Sequence, residues 1–135
     1  MLNHSKPTIL LLEWRAKRLQ LLSSALSEKY NIIVAQSVSD ATNHLEEQSE
    51  KIDCVISCFH SDSKESVFDL LRKAKQVEVP LIFFCLFPSH VTRTIEDSLV
   101  TTARMLGAEA TLLQEHLDIH ELLETIEQIL EKQKC

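Results

Sequence analysis

Five short apolar runs, each followed by a longer amphipathic stretch, set the limits on what this chain can fold into. They are "TILLLE" (8–13), "NIIVAQ" (31–36), "DCVISC" (53–58), "PLIFFCL" (80–86) and "ATLL" (110–113). Each is too short for a core helix and apolar through its length, the pattern of a strand covered on both faces. The stretches between them repeat at helical spacing. "WRAKRLQLLSSALSEKY" carries Leu19, Leu22 and Leu26, and residues 39–51 follow Ser37 or Ser39 as a cap. "DSKESVFDLLRKAKQV" opens on an Asp62-to-Glu65 capping pattern and carries Val67, Leu70, Leu71 and Ala74. Residues 88–106 place Val91, Ile95, Leu99, Ala103 and Leu106 on one face, with Gly107 as the left-handed stop. "DIHELLETIEQILEK" starts on Asp118 and Glu121 as a capping box and turns Leu122, Leu123, Ile126, Ile129 and Leu130 inward.

Strands alternating with helices predict βαβ units and a parallel sheet. Right-handed crossovers then favour an α/β, flavodoxin-like three-layer sandwich: five parallel strands in order 2-1-3-4-5 with five helices. No repeat, low-complexity segment or linker interrupts the pattern, so residues 1–135 are read as one domain.

Composition excludes several functions. The chain has one glycine, Gly107, so neither a P-loop nor a GxGxxG fingerprint can be built. A net charge of −6 argues against nucleic acid as a partner. The longest apolar runs are too short to cross a bilayer, and "MLNHSKPT" has no apolar leader region. With four cysteines at no scaffold spacing, reduced thiols in a cytoplasm are expected.

"ILLLEW", "IDCVISC", "VPLIFFCL" and "GAEATLLQE" together resemble a response-regulator receiver domain over nearly the whole length, with extra residues in the fourth-helix region. The resemblance implies a phosphoryl-acceptor pocket at the carboxyl ends of the strands. Its residues have been exchanged here. Glu13 keeps one acid, but Trp14 stands in place of the second. Cys58 replaces the acceptor aspartate, Cys85 the hydroxyl residue, and Gln114 the lysine. Glu115 replaces the proline after it, and Thr111 the switch aromatic. One carboxylate beside an indole and a thiol is a poor set for Mg²⁺, and without cations nothing stabilises a transferring phosphoryl group. The chain therefore resembles a pseudo-receiver. Its "KY…IDC" stretch and amino-terminal placement are similar to the amino-terminal domain of KaiA-type cyanobacterial clock proteins. Pseudo-receivers of sensor kinases or stand-alone adaptors fit as well.

On this reading the protein is a cytoplasmic, phosphorylation-independent signalling module and not an enzyme. Its partner would be a protein, such as a kinase, a clock component or an output domain, with no cofactor, metal, nucleic acid or membrane. The oligomeric state is left open. The candidate interaction surface is Trp14, Arg15, Phe59, His60, Thr111 and Glu115. Trp14 either fills the vacated acid pocket or serves as an exposed anchor. Arg15, Lys17 and Arg18 stand at a helix start, where the macrodipole disfavours cations, and hint at an acidic contact. The alternative function is a redox sensor using Cys58 and Cys85, weighed against their serving as small buried hydrophobes. Zinc held by these cysteines with His60 and His90 matches no standard spacing, and His116 and His120 read as surface.

Overall fold

The computed structural model describes residues 6–58, 66–86, 101–114 and 116–133. Parallel strands β1 (Thr8–Leu12), β2 (Asn31–Ala35), β3 (Cys54–Ser57), β4 (Leu81–Leu86) and β5 (Ala110–Gln114) form one sheet in the order β2-β1-β3-β4-β5. The helices are α1 (Ala16–Leu26), α2 (Val38–Gln48), α3 (Val67–Gln76), α4 (101–105) and α5 (Ile119–Gln133). The doubly wound order predicted from the alternation of runs is the observed one.

Strand alternation sorts the core into two layers. Leu10, Leu12, Val55, Leu81 and Phe83 face α2, α3 and α4, meeting Leu45, Leu70, Leu71 and Ala103. Ile9, Leu11, Ile56, Ile82 and Phe84 point to the other side, against Leu22 and Leu26 of α1 and Leu122, Ile126 and Ile129 of α5. Both sheet faces are covered, which is why the central strands read as unbroken apolar runs.

The helix starts are set by local hydrogen bonding and backbone geometry. Trp14 and Arg15 precede α1, with Arg15 in extended backbone as its N-cap. Ser37, not Ser39, caps α2 by accepting from Asp40 N at 3.0 Å. Ser66 caps α3 by accepting from Phe68 N at 3.1 Å. The Asp62-to-Glu65 pattern lies outside the described residues, as do Val91, Ile95 and Leu99 of the fourth helical stripe. Ala103 of that stripe is fully buried and Leu106 partly so.

At the end of α4, Gly107 has φ +99°. Gly107 N donates to Arg104 O and Ala108 N to Ala103 O, the paired bonds of a Schellman stop.

Candidate functional site at the carboxyl edge of the sheet

The β1–β3 ladder pairs Leu12 with Ser57, and one step further Cys58 N donates to Leu12 O at 3.2 Å. On the other side Glu13 N donates to Ala35 O at 3.1 Å, so Glu13 and Cys58 leave adjacent central strands together. Both are buried, at 1% and 2% exposure. A buried carboxylate requires a counter-charge or several donors. Glu13 has both from one residue: its Oε2 accepts from the Arg15 backbone N at 3.0 Å and from Arg15 Nε at 3.1 Å. The guanidinium also lies 5.0 Å from the centre of the Trp14 ring, within cation–π range. Trp14 is half-buried and packs against the α2/α3 layer. It is thus neither fully enclosed nor fully exposed.

Gln114 ends β5, and its carboxamide is turned to α5. Its Nε2 donates to Glu121 Oε1 at 2.6 Å and to Asp118 O at 3.2 Å, while its Oε1 accepts from Asp118 N at 2.8 Å. Asp118 caps Glu121 N at 3.1 Å as expected of a capping box. The return bond from the Glu121 side chain goes to Gln114 instead of to Asp118 N. Gln114 therefore serves as a clip between β5 and α5. Asp118 and Glu121 carry a recognisable box signature, but nothing in the spacing announces that Gln114 completes it.

Of the remaining candidates, Thr111 is half-buried and pairs with Phe83 across the sheet. Cys85 pairs with Leu113 in the β4–β5 ladder, while Ser57 pairs with Phe83 in the β3–β4 ladder. The two site cysteines thus occupy staggered levels. Phe59, His60, Glu115 and His90 lie outside the described residues. His116 and His120 are exposed, as expected for surface histidines, and His120 Nε2 is 3.8 Å from Glu124 Oε2.

Cys54 is fully buried, and its thiol is pushed up to about 12, first by burial and then by the charges of Asp53 and Glu109. At neutral pH it is a thiol, not a nucleophilic thiolate. Iodoacetamide at pH 8 is expected to leave Cys54 unmodified in the native protein and to label it after denaturation, read by peptide mass mapping. Native labelling would contradict the packing of β3. Because the folded-state value is raised, the stability tied to this proton is complete below the usual thiol range. It declines as pH rises from about 9 towards 12.

A sheet ordered 2-1-3-4-5, with α1 and α5 on one face and α2 to α4 on the other, is the receiver-like fold. No family model and no curated protein sequence matches the chain. Solved structures do. The signal receiver domain of an HD domain-containing protein from Pseudomonas fluorescens Pf-5 is similar at 25% identity and TM-score 0.80, covering 99% of this chain and 93% of that one. A two-component response regulator from Clostridium difficile is 20% identical at TM-score 0.80, over 96% and 100% of the two chains. A response regulator receiver domain protein from Clostridium thermocellum is 19% identical at TM-score 0.78, over 95% and 97%.

The receiver-like fold implies a divalent cation, Mg²⁺, beside the end of β1. The donor set here does not fit it. Mg²⁺ demands near-octahedral hard oxygen ligands. Glu13 Oε2 is already engaged by two donors of Arg15, and the neighbouring positions hold an indole and a buried thiol.

Proposed function

We propose that this chain is a signal-relay module of the receiver type that works without aspartyl phosphorylation. The observation that carries the proposal is Cys58. It directly follows β3, where the resemblance puts the acceptor aspartate, and it is 2% exposed and has no carboxylate to take a phosphoryl group. Receiver domains are in general signalling modules that act through protein partners. For this one, a signalling kinase, an output domain or a clock component of the KaiA type would dock on the carboxyl edge. Trp14 and Arg15, both partly exposed, would lie at the centre of that contact. Among the described residues no helix is long and apolar enough to cross a membrane. No observation favours a redox sensor built on Cys58 and Cys85.

The test is the intact mass of the reduced protein after incubation with Mg²⁺ and acetyl phosphate. An unchanged mass is expected. A phosphoryl adduct, about 80 Da for one group of the kind that receivers transfer, would overturn the proposal.

A further inference from the structure

Arg15 is the residue whose placement composition and propensity least explain. It stands at the N-cap of α1 with no side-chain cap of its own, and α1 has no acidic residue in its first turn. A cation there works against the helix macrodipole. The acidic contact that this arrangement calls for lies in the same turn of chain. Two donors of Arg15 converge on a single oxygen of Glu13, a side chain only 1% exposed, while the guanidinium spans towards Trp14. Among the described residues, Arg15 Nη2 is buried without an acceptor. The guanidinium is therefore positioned for its Nε contact with the carboxylate even though one of its other nitrogens goes unsatisfied, an arrangement with a standing cost.

We infer that the Arg15 guanidinium is the resident cation of this edge: it holds the Glu13 oxygen that a divalent ion would need, and so fixes the turn between β1 and α1 with no metal added. The inference rests on the receiver-type reading above and deepens it. A guanidinium tethered two residues from its carboxylate is always present, whereas a bound ion exchanges with solvent. The turn between β1 and α1 then needs no added ion before a partner binds. Arg15 acts here as a positioning residue, through Glu13 and Trp14.

Titration with Mn²⁺, followed by Trp14 fluorescence, tests the assignment. Saturable quenching reports a bound ion, whereas collisional quenching stays linear in concentration. The wild-type protein is expected to show only the linear response. Arg15→Met is expected to gain a saturable response at millimolar Mn²⁺, and Glu13→Gln in that background to weaken it by about tenfold or more, as the hard carboxylate ligand is lost. Saturable quenching of the wild type that Glu13→Gln abolishes would overturn the inference, as would a purely linear response in both wild type and folded Arg15→Met.

If Arg15→Met does not fold, the double variant decides. Refolding of Glu13→Gln/Arg15→Met supports a charge role for Arg15, and continued unfolding assigns it to packing and overturns the inference. The acetyl phosphate experiment separates this from the broader reading. Mn²⁺ held by Glu13 with no phosphoryl adduct sinks the resident cation alone, whereas an adduct sinks the phosphorylation-independent reading.

Discussion

Phe83→Ala is expected to lose about 3–5 kcal/mol of stability, the range for truncating a fully buried aromatic side chain. Phe83 sits near the middle of β4 at 0% exposure, between Val55, Leu81 and the inner faces of α2 and α3. Its ring meets Phe68 of α3 edge-on, with centroids 5.7 Å apart and planes at 68°. Such a pair adds about 0.5–1.5 kcal/mol beyond area burial. The cavity left by alanine would lie between the central sheet and α3, where secondary structure on both sides resists collapse. A domain of this size has about 5–15 kcal/mol in all, so the variant is expected to be partly unfolded at physiological temperature. Urea denaturation followed by far-ultraviolet circular dichroism measures the loss. Ile82→Val, one residue away on the opposite face, is expected to cost only about 0.5–1.5 kcal/mol. Equal losses for the two variants would contradict the cavity cost assigned to the Phe83 site.

Gly107→Ala is expected to cost about 1–3 kcal/mol, the penalty for holding a side chain in left-handed backbone. The φ of +99° is required by the stop that ends α4 and directs the chain into β5. Space adds a second cost, since a Cβ at this position would come 2.7 Å from Lys75 Cε and 2.8 Å from Lys75 Cδ. The Lys75 side chain is flexible and can move, so the backbone term is expected to dominate. Gly107→Asn separates the two, because asparagine tolerates left-handed backbone but is bulkier than alanine. Thermal unfolding is expected to place Asn between Gly and Ala. An Asn variant less stable than the Ala variant would assign the cost to crowding against Lys75.

The layered fold was legible because burial on both faces leaves a direct mark on composition. Strand β1 illustrates it: Ile9 and Leu11 serve one layer while Leu10 and Leu12 serve the other, so each of these four residues must be apolar. The helix stripes were as clear, with Val67, Leu70, Leu71 and Ala74 all buried as their spacing predicts. Helix starts were less so, since several serines and acids compete for each cap. Ser37 and Ser66 won because their backbones are extended where the first free N–H groups point.

At the candidate site, sequence reading singled out Glu13 and Cys58 through the resemblance, and the pairing of β1 with β3 brings those two strand ends side by side. It also marked Arg15 as a cation out of place. It did not find that Arg15 answers Glu13, nor that Gln114 serves α5. Local pattern determined the strands, the helices and their order in the sheet, because periodicity and residue identity are properties of the chain itself. Which donor meets which acceptor was decided only by the tertiary structure. Burial removes water as a partner, and each remaining polar group takes whichever side chain the packed elements bring within hydrogen-bonding distance.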